Sequence, residues 1–273
     1  TGGTSTYNPF DTSDRFNFAQ FNLLLTPSER RGLYNQTHFE ITDNTTWYFK
    51  GLYNERESTN QAAPEPIFLG PEAGTGNAYA DNIFISRTNP YNPFGIDFIS
   101  TGPDANLIFF GRRPIEGGAR VFNQEVDTWY IATGFEGNFD LGARKLYWDL
   151  NYANSQNKAE QTNYGSYNIR RIAQALGPVD ACNADPNCVP LNYFGGQGAG
   201  GGTITPEMLA YIQPIIRDSS EQELELYSAN LTGDLFELPA GALAFAAGYE
   251  YREYSGSYQP DALTVAGEYN GVP

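Results

Sequence analysis

Cys182 and Cys188, the only two cysteines of the chain, flank the turn-forming run Asn183-Ala184-Asp185-Pro186-Asn187. The chemistry open to a close pair in a solvated loop is oxidation to a local disulfide, which would put this segment in an oxidising compartment such as the periplasm or the cell surface. A structural zinc site wants about four Cys/His ligands, and the single histidine, His38, is far off in sequence. So small a ring restrains a loop tip and adds little global stability, because cross-link entropy grows with loop size. His38, in the run QTHFE, reads as a packing residue in the middle of a strand. Carboxylate pairs such as Glu55/Glu57, Glu223/Glu225 and Asp180/Asp185 could do acid-base work, but a chain with 32 acids produces such pairs by chance, and they read as solvated faces. The oxygen-rich run DACNAD lacks the ligand spacing and closing Glu of a calcium loop, and nucleophile elbow, HExxH and Walker patterns are missing. Asn35, Asn44 and Asn230 each open an Asn-X-Thr sequon, which we read as coincidental. The residues point away from an enzyme and call for no cofactor or metal.

The elements that would position these residues fall into a lopsided pattern. Three hairpins with turns of a few residues read RRGLYNQTHFEI-TDNT-TWYFKGLYNERES, VDTWYIATGFEGNF-DLGAR-KLYWDLNYANSQ and ELELYSANLTGDLF-ELPAG-ALAFAAGYEYREY. Two polar stretches of roughly sixty residues separate them, far beyond the usual loop length. In the first hairpin Asp43-Asn44 supplies the turn through its tolerance of positive φ. Trp47, Phe49, Gly51 and Tyr53 share one face of the return strand, as do Leu146, Trp148, Leu150 and Tyr152 in the second hairpin. In the third, Leu243, Phe245, Ala247, Tyr249 and Tyr251 stand opposite Ala244, Ala246, Gly248, Glu250 and Arg252. In 121–135 and 224–236 the alternation blurs and assigns no face. A short strand is expected before Pro27. Helices are expected over 168–176, stopped by Gly177-Pro178, and from Thr205-Pro206 onward. The glycine run from Phe194 to Thr203 reads as a slack connector.

An antiparallel sheet with tight turns at one end and long loops at the other is the layout of a transmembrane β-barrel, short on the periplasmic side and long outside. The fold class expected is therefore all-β, an antiparallel transmembrane β-barrel segment of about six strands with short periplasmic turns and long extracellular loops. Composition agrees with strands: 19 Tyr and 18 Phe against 3 Trp, with 29 Gly, 17 Pro and a mean hydropathy of −0.46. No apolar run reaches the roughly eighteen residues of a membrane helix. A soluble β-sandwich, with the same apolar faces packed on one another, stays open on periodicity alone. The net charge of −16 disfavours nucleic acid as a partner. Strong acidity otherwise means solvation, or outer loops that draw in cationic or metal-complexed ligands.

Both ends read as cuts through a longer polypeptide, with barrel strands missing on either side. The repeated Tyr-Asn-Pro-Phe at Tyr7–Phe10 and in NPYNPFG (89–95), with LLLTPSERRGLY, FEITDNTTWYFKGLYNERES, and CVPLNYFGG followed by ITPEMLAYI, resembles the β-barrel portion of TonB-dependent outer-membrane receptors of Gram-negative bacteria. The likeness spans about Tyr7 to Tyr254. It implies an outer-membrane receptor with a barrel of about 22 strands around a plugged lumen, in which residues 1–273 are part of the barrel and the plug domain and TonB box lie elsewhere. It implies import of a scarce ligand, a ferric siderophore, cobalamin or a carbohydrate, with energy from the TonB complex. The implied partners are outer-membrane lipid, the small-molecule or oligosaccharide ligand, and TonB through the missing plug. Ligand capture would fall to the loops Thr59–Gly118 and Ala159–Glu221, with Tyr91, Phe94, Tyr193 and Phe194 as candidate contacts. The other reading of these aromatics is that they pin the loops together. A soluble secreted binding or adhesion module is the alternative to the receptor.

Overall fold

A computed structural model describes residues 9–196 and 202–270. The first hairpin is β1 (Ser28–Thr42) and β2 (Thr45–Ala62), followed by a loop that holds β3 (Ile67–Leu69), α1 (Ala78–Asp81), β4 (Phe84–Ile85), β5 (Phe98–Ile99) and β6 (Phe110–Arg112). Next come β7 (Arg120–Leu141) and β8 (Arg144–Tyr164), then a second loop with α2 (Ile169–Leu176), α3 (Val179–Asn183) and α4 (Pro206–Ile212). The third hairpin is β9 (Ile216–Leu238) and β10 (Gly241–Gln259), and α5 (Ala262–Val265) follows it. The long strands make one antiparallel six-stranded sheet in the order β1-β2-β7-β8-β9-β10. The sheet is open: β1 and β10 are its two edges.

The hairpins fall where the alternation put them, but the strands run further into the loops than the pattern reached, to Ala62 and from Arg120, to Tyr164 and from Ile216. Strands that long lose their apolar alternation halfway up, which is why polar residues there looked like loop. Two other expectations are corrected. Among the described residues before Pro27 there is no strand, only two short 3-10 turns at Thr12–Asp14 and Ala19–Phe21. The Asp43-Asn44 turn closes without positive φ, since no described non-glycine residue adopts it. A register shift between Glu40 and Thr42 takes up the mismatch instead. In the second hairpin Gly142, at φ 67, does what a side chain would resist.

Register sorts the side chains into two faces. One row runs Phe39, Trp47, Phe135, Leu150, Ala229, Tyr249, and the next Thr37, Phe49, Thr133, Tyr152, Tyr227, Tyr251. These rows belong to an apolar, aromatic band that covers 33–39 on β1, 47–53 on β2, 146–152 on β8 and 243–251 on β10. The band is slanted. On β2 its upper end is Tyr53, level with Ser255 of β10, whereas on β10 it stops at Tyr251 and continues down through Phe245. Among the described residues no element covers its middle: Leu150 is 49 % exposed, Tyr249 67 % and Phe39 61 %, whereas Leu146 at its lower edge is buried. Above the band the same face turns acidic, with Glu55, Glu57, Asp127, Glu160, Glu221 and Glu223 in successive rows.

The opposite face is polar opposite the band. Tyr48 Oη donates to Asn151 Oδ1 at 2.5 Å, and the Asn151 and Asn230 amides donate to Asp149 Oδ2 at 2.5 and 2.7 Å. Tyr48 lies across Gly134, where a Cβ would stand 2.8 Å from the ring and 2.2 Å from the Leu150 carbonyl. Only glycine lets the ring and the next strand approach that closely.

The hydrophobic core is not in the sheet. It lies between the two long loops, where Ile67, Leu69, Ile83 and Ile85 of the first pack against Tyr167, Ile169, Ile172, Leu176, Leu191 and Ile212 of the second. Ser86 N–H donates to Leu176 O at 2.9 Å and the Asn89 amide to Ala175 O at 2.9 Å across the two loops, while Leu191 N–H on Ala175 O at 3.0 Å ties the second loop to itself. Segment 261–270 joins the same body, with Ile169 N on Glu268 O and Asn270 N on Tyr167 O.

Candidate functional site

α2 forms because Asn168 caps it, its side chain accepting from Arg171 N at 2.9 Å, and because Ile169, Ile172, Ala175 and Leu176 give it one apolar stripe. α4 begins with Thr205 as cap and Pro206 in the first turn. These helices and the tandem Asn-Pro turns of the first loop set the candidate contacts. Asn89 Oδ1 accepts from Tyr91 N at 2.9 Å, and Asn92 Oδ1 accepts from Phe94 N at 3.0 Å, so each Asn closes a turn by mimicking backbone. The Asn92 amide also donates to Ser86 O and Ile96 O. Of the matching repeat at Tyr7–Phe10, Tyr7 and Asn8 lie outside the described residues.

The four aromatics do not share one place. Phe94 and Phe194 meet at 6.0 Å between ring centroids and, with Phe98, Leu107 and Phe110, line an apolar cleft of about 280 Å³. Ring contacts order it: Phe94 meets Phe98 edge-on at 5.3 Å, and Phe194 lies tilted against Phe110 at 5.2 Å. Tyr193 is instead core, 1 % exposed, its hydroxyl donating to Ile67 O at 2.7 Å. Tyr91 lies outside the cleft. Phe98 and Phe110 were not anticipated, although the run LIFF at 107–110 stands out in a loop read as polar. The cleft offers apolar surface and no acid, base or nucleophile among its lining residues, so its chemistry is binding.

Cys182 and Cys188 form a disulfide, with a Cα–Cα distance of 5.3 Å. It closes the turn that carries Asp185 and Asn187 beside α2, where Gln174 Nε2 donates to Asp185 Oδ2 at 3.1 Å. The Asn187 backbone N–H, then the Gln174 amide, hold the Asp185 carboxyl below the usual carboxylate range. Substituting both cysteines with alanine should loosen the loop tip locally by about 2 kcal/mol through the lost ring closure, with little change in the unfolding of the sheet. Limited proteolysis should then show faster cleavage within 177–193 and an unchanged pattern from the sheet. Of the glycine run, residues 197–201 lie outside the described residues, while Gly202 packs against Glu116.

Two buried charged groups tie the loop body together. Arg112 pairs with Glu116 at 2.5 Å and donates from Nη1 to the Asn192 carbonyl at 2.9 Å, so the first loop grips the second. Glu65, 5 % exposed, accepts from Ser166 Oγ at 2.5 Å and Asn270 Nδ2 at 3.4 Å, and Arg120 stands 3.9 Å away. Burial pushes the Glu65 carboxyl up, opposed by the Ser166 hydroxyl and by the Arg120 and Arg113 guanidinium groups. A raised folded pKa means that the folded state holds the proton more tightly. Stability from this group is therefore gained on acidification and lost as pH rises from the ordinary carboxylate value through the raised one. Glu65→Gln should remove that slope. Read by denaturant unfolding at a series of pH values from the ordinary carboxylate value upward, the stability of the wild type relative to the variant should fall as pH rises. Compared with known proteins, the chain matches no family model, no curated sequence and no solved structure.

Proposed function

We propose that this chain is part of the barrel wall of an outer-membrane active-transport receptor of a Gram-negative bacterium, with residues 1–273 belonging to a larger barrel that encloses a plug. Binding and import of a scarce ligand, a ferric siderophore, cobalamin or a carbohydrate, would be its activity, driven through the TonB complex and involving no bond breaking by these residues. The observation that carries the reading is the slanted, uncovered apolar band on one face of a sheet whose other face is polar. Barrel strands tilt by about 35–45° against the membrane, so a horizontal lipid layer must cut across the rows of an unrolled sheet obliquely. The tight turns at one end and the loop body at the other fit the periplasmic and extracellular sides in that order.

Within this reading the apolar cleft at Phe94 and Phe194 is the place where the outer loops would meet ligand, and Tyr193, which fills the core, would support it from behind. The test is made on the full-length protein in its native host. Recovery in the detergent-resolved outer-membrane fraction, heat-dependent gel migration, and ligand uptake that stops when the inner-membrane proton gradient is collapsed are the expected results. A monomeric protein secreted and stable without detergent would replace the receptor with a soluble binding module. Phe94→Ala with Phe194→Ala should lower affinity for the imported ligand about tenfold, in line with losing two aromatic anchors.

A further inference from the structure

We infer that a second binding site, for a single neutral sugar ring, is built into the polar face of the sheet, between strands β7 to β10 and the segment that follows them. The pocket holds about 220 Å³. Its walls are Gln124 on β7, Gln161 and Asn163 on β8, Tyr258 on β10 and Thr264 of α5.

Three observations choose the ligand class. The first is donor and acceptor balance. Most of the lining residues carry side-chain amides or hydroxyls beside an apolar wall, and each of these groups can give and take hydrogen bonds, as a ring of secondary alcohols requires. Thr264 Oγ1 is buried there with no hydrogen-bond partner among the described residues. A hydroxyl left so is costly unless something completes it. The second is charge. No Lys, Arg or His lines the pocket, and its one carboxylate, Asp218, is already engaged by the Asp261 backbone N–H at 2.9 Å. A carboxylate-rich or phosphorylated ligand therefore finds no counter-charge. The third is size and surface. The volume lies below the roughly 300 Å³ at which drug-sized sites begin, which admits one ring and excludes a bulky metal chelate. The aromatic rings of Phe122, Tyr258 and Tyr269 supply flat apolar walls for the C–H face of such a ring. Glycan anchored in a membrane would approach from the apolar band, which is on the opposite face, so the ligand is a free saccharide.

The inference rests on the receptor reading for its place in transport, and not for its chemistry. The test uses D-glucose as probe and citrate as the anionic control, titrated calorimetrically against the full-length purified protein. Saturable glucose binding, weakened tenfold or more by Thr264→Val and by Gln161→Leu, with citrate silent, is expected. Thr264→Val keeps the side-chain volume on a surface segment, so it retains the fold if Gln161→Leu does not. No saturable glucose binding by the folded wild type, binding untouched by both variants, or citrate binding equally well would overturn the site. A protein that imports another ligand from the outer membrane yet ignores glucose would sink the pocket and keep the receptor. A soluble protein that binds glucose through Thr264 would do the reverse.

Discussion

Replacing Arg112 with methionine is expected to loosen the loop body by about 3–5 kcal/mol, the cost of leaving one member of a buried ion pair behind. Glu116 keeps only 8 % of its side-chain surface in water, and its carboxylate would face that environment alone. The loss extends beyond the pair, because Arg112 Nη1 also donates to the carbonyls of Asn192 and Tyr193. With it go two of the polar contacts that fasten the first loop to the second. Thermal unfolding of the full-length protein, followed through protease sensitivity of the loops, should show the transition shifted down while the sheet keeps its own. The double variant Arg112→Met with Glu116→Leu should recover most of the loss, since an apolar pair of similar volume is often as stable as the ion pair it replaces. A double variant as unstable as the single one would mean that the carbonyl contacts, not the charge, dominate.

Leu150→Arg is the second large effect. Leu150 sits in the middle of the band between Phe135 and Ala229 and is 49 % exposed. On a soluble sheet that leaves this face in water, that substitution is a surface change within about 0.5 kcal/mol. In a bilayer a guanidinium on the lipid face near the midplane costs about 2–4 kcal/mol. Ser155→Arg, on the other face of the same strand, should cost little in either setting. Urea unfolding of the protein reconstituted in lipid vesicles separates the two cases, and equal stabilities for the Leu150 and Ser155 variants would sink the membrane reading.

The sheet was legible in the sequence because the strands near the tight turns alternate cleanly. Leu146, Trp148, Leu150 and Tyr152 could be assigned to one face before any coordinates, and register carries that assignment across 121–135 and 224–236, where the pattern blurred. What stayed hidden has a common physical cause. On the upper strands both faces are polar, so period-two reasoning has nothing to read, and about twenty strand residues passed as loop. The loop body was hidden for another reason: its core is assembled from short apolar runs, such as Ile67 to Leu69 and Ile83 to Ile85, each too brief to carry a period. Two of its helices, α2 and α4, were found through their end signals, the Gly177-Pro178 stop and the Thr205-Pro206 start, because ending or capping a helix is local chemistry. The cleft was half found. Phe94 and Phe194 were named, but that they touch depends on two loops packing together over a separation no local signal spans.

The length of the ladder above the band has its own result. β2 continues for about nine residues beyond Tyr53, on the order of 30 Å at the usual rise, and its neighbours keep pace with it to Arg120 and Tyr164. The paired strands work as rigid stilts. With the band seated in a bilayer, the folded cap would be carried clear of the headgroups, where large bodies in the surrounding medium, antibodies included, can grip it without touching lipid.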